Sequence, residues 1–203
     1  MEGVLYLIAN SRLTGKERLG DIAAQAVEGG VDYVQLREKG RTADEIYRLA
    51  MELKKILDGT KAIFLINDRV DVALAVGAHG VHLGQASLPP EAARRVLGED
   101  KIIGVSTHNL EEARAAEKGG ADYIIFSHIF PTGSKPGLKP KGPESLREIT
   151  QEVGIPVVAL GGIKIENVPK IISRGVNNVA VMSCILKAES PLREAEGIKR
   201  LLL

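Results

Sequence analysis

Four clusters in this sequence hold residue types that can do chemistry. In VQLREK (34–39), Gln35, Arg37 and Lys39 alternate with Val34, Leu36 and Glu38. Extended backbone turns successive side chains to opposite faces, so an amide and two cations share a face that suits an anion. The competing reading is a solvated strand end with a salt bridge. Asn67-Asp68 closes a second apolar run; its carboxylate either holds a metal ion or caps the helix that follows. Gly161-Gly162 and Met182-Ser183 close two later runs, and together they offer backbone N–H groups and a hydroxyl to a phosphate.

The fourth cluster begins at His128, late in the run ADYIIFSHI (121–129), and continues into Thr132, Ser134 and Lys135. An imidazole that titrates near pH 6.5 is suited to moving a proton near neutrality. The other histidines read differently. His79 lies in a helix-to-strand turn and is structural, and His82, inside a strand, is a satisfied core residue. His108, beside Ser106, either faces the site or caps the next helix. No Cys or His cluster has metal-ligand spacing, and no nucleophile-plus-base signature is present.

These clusters need a frame that gathers strand ends. Eight β-rich runs lie at 4–10, 31–37, 62–68, 80–84, 101–107, 121–129, 156–162 and 177–185. Segments with apolar residues at helical spacing separate them, most closing on glycine, and PLREAEGIKRLLL supplies an eighth helix. A weak repeat, Gly-Gly-Val-Asp-Tyr (29–33), Gly-Ala-His-Gly-Val (77–81), Gly-Gly-Ala-Asp-Tyr (119–123) and Gly-Val-Asn-Asn-Val (175–179), returns every two units. Near-continuous apolar strands in this rhythm predict an α/β fold, a single-domain (β/α)8 TIM barrel over residues 1–203. An open doubly wound sheet is the alternative. In a barrel, chemistry sits where strands run into the loops that follow them.

Composition narrows the partners. The chain has 203 residues, 27 basic against 26 acidic side chains, and seven aromatics with no Trp. This balance gives no general affinity for nucleic acid and little to stack bases on. One cysteine, Cys184, fits a reducing compartment. The N-terminal stretch lacks a basic leader, and no apolar run approaches the roughly eighteen residues that would span a bilayer. A cytoplasmic protein with small-molecule partners, no nucleic acid and no membrane, is expected.

Taken in order, VQLREK, INDRVDVALAVGAHGVHLGQ, IIGVSTHNLEEA, GGADYIIFSHIFPTGSK, VVALGGI and VAVMS resemble the thiamin phosphate synthase and thiazole tautomerase superfamily over nearly the whole chain. For a synthase the resemblance implies that Gln35, Arg37, Lys39, Asn67 and Ser106 bind a pyrimidine diphosphate. It implies that Thr132, Ser134 and Lys135 contact the thiazole phosphate and diphosphate, and that Gly162, Met182 and Ser183 hold the thiazole phosphate. It also implies a homodimer.

Two departures favour the tautomerase branch. The synthase places Mg²⁺ between the Asp of "ND" and an acidic residue after "GQ"; here Asp68 is kept, but Ala86 and Ser87 follow Gln85. The synthase reads Gly-Pro where this chain has Ser127-His128, and the tautomerase branch reads Gly-His there, followed by a Gly-Leu-x-x-x-Gly loop like Gly137 to Gly142. VMSCILKAESPL also resembles the tautomerase's C-terminal stretch. The expectation is therefore an isomerase that aromatises a carboxythiazole phosphate tautomer. His128 would be the catalytic acid–base, Arg37, ahead of Lys39 and Lys135, would pair with the ring carboxylate, and no cofactor or metal would be needed. The alternatives are a thiamin phosphate synthase, a transferase using Mg²⁺ at Asp68, and a non-catalytic thiazole phosphate-binding or regulatory protein.

Overall fold

Alternation along each strand decides which side chains fill the barrel and which face the helices. In β1 (Leu5–Ala9) the side chains of Tyr6 and Ile8 join the interior cluster, while Leu5, Leu7 and Ala9 pack in the shell between strands and helices. The computed structural model describes every residue except Met1, Lys135 and Pro136. After β1 come the single turn α1 (Ser11–Thr14) and α2 (Lys16–Glu28), then β2 (Tyr33–Leu36) and α3 (Ala43–Leu57). The same step repeats through β3 (Ile63–Asn67), α4 (Val70–Val76), β4 (Gly80–Leu83), α5 (Pro90–Leu97), β5 (Ile102–Thr107) and α6 (Leu110–Lys118). It continues through β6 (Tyr123–Ser127), α7 (Glu144–Glu152), β7 (Val157–Leu160), a 3-10 turn (Ile165–Asn167) and α8 (Val168–Ile172). The last unit is β8 (Asn178–Val181), α9 (Ser183–Leu186) and α10 (Pro191–Leu202).

All eight strands are parallel, each beside the next, and β8 pairs back onto β1 with Leu5 opposite Val179 and Leu7 opposite Val181. That closure makes the chain a (β/α)8 barrel and excludes the open sheet. Helices form because their apolar residues fall on one face: in α3, Ile46, Leu49, Ala50, Leu53 and Leu57 are buried. Thr42 and Glu45 close a capping box at its start, satisfying backbone donors that the helix cannot pair.

The repeat read in the sequence has a backbone cause. Gly30, Gly77, Gly120 and Gly175 hold φ of +97°, +68°, +84° and +85° in the turns that enter β2, β4, β6 and β8. Glycine adopts that region without the Cβ penalty. Three expected strands stop two or more residues early, and that ending at 162 leaves the sheet after Leu160, before Gly161-Gly162. The run ending at 185 leaves the sheet after Val181, because Met182 (φ −133°, ψ −83°) turns the chain into α9. The run ending at 129 leaves after Ser127, where the peptide to His128 is cis.

One end of the interior is closed by aromatic rings. Tyr6 and Tyr33 stack with centroids 4.3 Å apart, and Tyr123 lies 5.4 Å from Tyr6. Such pairs are worth about 0.5–1.5 kcal/mol beyond the area they bury. The other end, where the strands finish, stays open. Among the described residues no helix is long and apolar enough to cross a membrane.

Candidate active site

A cavity of about 880 Å³ opens at the C-terminal ends of the strands. Every site residue expected from sequence lies along it, except Lys135, which lies outside the described residues. Gln35, Arg37 and Lys39 reach it from β2 and the turn beyond, Asn67 and Asp68 from the end of β3, and Ser106 from β5. Thr132 and Ser134 come from the loop after β6, Gly162 from the loop after β7, and Met182 and Ser183 from the exit of β8.

The even–odd split on β2 is as expected. Gln35 enters the cavity, while Val34 and Leu36 pack outside the barrel. Glu38 takes the bland role: buried, it accepts Ser11 N–H at 2.5 Å and Arg41 Nε at 2.8 Å, stapling the β2 exit to α1. Arg37 is half-buried, and that burial holds its guanidinium below the ordinary value, partly offset by Asp68. It stays charged.

Asp68 is the one non-glycine residue with positive φ (+62°) among those described. Such backbone is strained and tends to survive at functional sites. Here it turns the carboxylate toward β4. Oδ1 accepts the Ser87 hydroxyl and Gly84 N–H (3.2 Å), and Oδ2 accepts Asn67 Nδ2 at 2.7 Å. Helix α4 has no side-chain cap, so the capping explanation of "ND" fails.

The Asp68 carboxylate also sets the direction of its neighbours. Ionised, it only accepts, so Asn67 must turn its Nδ2 toward it and its Oδ1 toward Gln35. Gln35 Nε2 then donates to that oxygen at 2.8 Å. Gln35 Oε1 is left buried without a partner; among the described residues Thr107 Oγ1, on the shell side of β5, is the other such atom. An unpaired buried acceptor costs about 1–3 kcal/mol until a donor reaches it.

His82 is buried with both ring nitrogens paired, to Tyr123 Oη at 3.0 Å and to Ser106 Oγ at 2.8 Å. Burial pulls its pKa down to about 3, so it is neutral at physiological pH; Asp68 acts upward and Arg37 downward on it. Gln85 Nε2 donates to Ser106 O at 2.6 Å. The core reading of His82 was half the matter, because its second nitrogen touches a cavity residue. His108 sits at the cavity edge with Nδ1 on Glu112 Oε2 at 2.9 Å, and it is Asn109, not His108, whose side chain caps α6.

His128 is buried at the cavity wall, and its Nε2 donates to the Leu138 carbonyl at 3.3 Å. Its own carbonyl accepts Lys141 N–H, and that of Ile129 accepts Gly142 N–H, both at 3.0 Å. These bonds tie the far end of the loop carrying Thr132 and Ser134 to the β6 exit. Gly161 and Gly162 make room for that exit: an added Cβ would lie 2.4 Å from His128 Cβ and 2.4 Å from Pro131 O, respectively. Sequence reasoning passed over Lys164 and Lys187, which line this rim, and read Gln85 and Ser87 only as a departure from the synthase pattern. The rule that βα loops gather at one end would have found the residues after "GQ" and "GG".

The family described as thiamine monophosphate synthase matches residues 5–185. A thiamine-phosphate synthase of Chlorobium luteolum is 48% identical over 179 residues, covering 88% of this chain and 84% of that one. Another, from Clostridium novyi, is 43% identical over 184 residues, 90% of each chain. The solved structure of a thiamine phosphate pyrophosphorylase from Pyrococcus furiosus superposes with a TM-score of 0.88 at 38% identity, over 98% of this chain and 95% of that one. These likenesses overturn the tautomerase expectation, and with it the assignment to the isomerases. The physical weakness of that expectation is visible at His128, whose imidazole is engaged with a loop carbonyl. The relatives match the transferase alternative, and the chain belongs to the thiamine monophosphate synthase family.

Proposed function

We propose that this protein is a transferase that joins a hydroxymethylpyrimidine diphosphate to a thiazole phosphate, giving thiamine phosphate and pyrophosphate. The observation that carries the reading is Gln35 Oε1, a buried acceptor without a partner on a residue that lines the cavity, its amide oriented by the Asp68–Asn67–Gln35 chain. An amino group on a pyrimidine ring is the donor such an atom lacks. The resemblance implies pyrimidine diphosphate contacts from Gln35 and Asn67, and relatives at 43–48% identity bear the synthase name.

In the reaction the bond between the pyrimidine's exocyclic carbon and the diphosphate oxygen breaks, and pyrophosphate leaves with the electron pair. The thiazole ring nitrogen supplies the pair for the new carbon–nitrogen bond. No proton shuttle is required. The protein's work is to align two rings and to stabilise a departing anion. Gln35 orients the pyrimidine. Arg37, with a planar fork that grips two oxygens, Lys39 and Ser106 receive the diphosphate. Gly162, Met182 and Ser183 hold the thiazole phosphate, with Thr132 and Ser134 between the two ends.

The resemblance also implies Mg²⁺, and the donor set fits it in minimal form. Asp68 offers one carboxylate and Ser87 a hydroxyl oxygen beside it, and a diphosphate brings further oxygens. Among the described residues no group of three or more His, Cys, Asp or Glu side chains adds to them. When bound, the ion neutralises charge on the leaving pyrophosphate. A single cysteine accords with a cytoplasmic location, which belongs to this reading.

The test is phosphorus NMR of the purified protein with both substrates and Mg²⁺. Thiamine phosphate and pyrophosphate should appear together, and chelation should stop them. An unchanged mixture at high enzyme concentration rejects the reading.

A further inference from the structure

Three polar side chains cross the barrel interior in series and end at the cavity. Tyr123 on β6 and His82 on β4 are 3% and 2% exposed, and Ser106 on β5 faces the cavity. Strand β5 stands between the other two, with Gly104 opposite both His82 and Tyr123 in register. An added Cβ at Gly104 would lie 2.1 Å from the Tyr123 ring, so the phenol reaches His82 only across this glycine.

We infer that Tyr123 and His82 are positioning residues that lock the Ser106 hydroxyl as a hydrogen-bond donor to an anion in the cavity. The direction of the series follows from what each group can give. The Tyr123 ring packs against those of Tyr6 and Tyr33, and among the described residues the hydrogen-bond partner of its Oη is His82 Nδ1 at 3.0 Å. A neutral imidazole has one donor and one acceptor nitrogen. With Nδ1 accepting from the phenol, the ring proton sits on Nε2 and is donated to Ser106 Oγ at 2.8 Å. The serine's own proton is then turned away from the wall and into the cavity. Reversed, the series would leave the phenol proton without an acceptor and Ser106 presenting lone pairs, which repel an anion.

The series therefore complements the one through Gln35. One ends in a fixed acceptor, the other in a fixed donor. Fixing the rotor beforehand spares the ordering cost when the ligand binds. That the anion is the diphosphate of the pyrimidine substrate rests on the function proposed above; the polarity of the series does not.

Two measurements test it with the full-length protein. The first is nitrogen–proton NMR of the His82 ring at neutral pH, without ligand. The ring proton is expected on Nε2 with Nδ1 bare, and a proton on Nδ1 overturns the inference. The second is a double-mutant cycle read by calorimetric binding of inorganic pyrophosphate. Tyr123→Phe should weaken binding about two- to tenfold in the wild-type background and leave it unchanged in a Ser106→Ala background. Equal losses in both backgrounds mean that Tyr123 acts on the structure at large, and the inference falls. If the wild type takes up no pyrophosphate, the diphosphate assignment fails with the proposed function, and the ring-proton position alone decides the polarity.

Discussion

At the rim where helices turn into strands, Asp32, His79 and Asp122 accept the backbone N–H groups of Leu5, Phe64 and Ile103 at 2.8, 2.9 and 2.7 Å. Lys199 and Arg94 then pair with the two carboxylates. At the opposite rim the same kinds of group are chained together, yet each chain stops one partner short. Gln35 ends in an unpaired acceptor, and Ser106 ends in a hydroxyl facing open space. Closed pairing makes the first rim a source of stability. On the function proposed above, open-ended pairing makes the second a binding surface whose missing partner is the ligand. A barrel thus keeps stability and function at separate ends of one set of strands.

The largest effect that separates the rims is expected at Arg37. Arg37→Ala should lower kcat/KM for thiamine phosphate formation by about 10²- to 10³-fold, the range for losing a preorganised group that stabilises developing charge. Its midpoint of urea unfolding should stay close to that of the wild type, since among the described residues no other side chain depends on the guanidinium as a hydrogen-bond partner. A collapse in stability with activity preserved in the folded fraction would invert the comparison.

The converse is expected at Asp32. Asp32→Ala strips the acceptor from Leu5 N–H, on a residue with no exposed surface, and leaves the Lys199 ammonium Gly3 O and Glu2 as its partners among the described residues. Urea unfolding should show a loss of about 1–3 kcal/mol. Steady-state kinetics on the folded protein should show KM and kcat within about twofold of the wild type. A selective rise in KM would mean that the two rims communicate.

The sequence carried the frame well because strand alternation and the crowding of βα loops at one end are local rules. They placed Gln35, Asn67, Ser106, Gly162 and Ser183 around one cavity before any coordinates. What stayed hidden was long-range. His82 meets Ser106 across 24 residues and Tyr123 across 41, so no spacing announced the series. Asp68 was legible as a carboxylate, but its left-handed backbone and its grip on Ser87 were not. The choice between two chemistries failed for a related reason. It rested on His128 and on the residues after Gln85, two local departures, whereas kinship to the synthases extends over nearly the whole chain. The His128 imidazole contacts the Leu138 carbonyl of the following loop, a contact that a linear motif does not distinguish from proton transfer.

Ser87 offers the finest test of the open rim. Its hydroxyl donates to Asp68 Oδ1 and accepts Gly84 N–H at 2.7 Å, so the site carries one carboxylate where two would bind a divalent ion more firmly. Ser87→Asp sets two like charges side by side. In chelator the variant should melt below the wild type, because neighbouring carboxylates repel. Adding Mg²⁺ to about tenfold over its dissociation constant should stabilise the variant by about 1.4 kcal/mol, or roughly 3–6 °C at this chain length, while the wild type moves less. Calorimetry with and without Mg²⁺, and no substrate, reads this directly. Equal shifts in both proteins would mean that position 87 does not face the ion, and that the open end of the Asp68 chain points only at the pyrimidine.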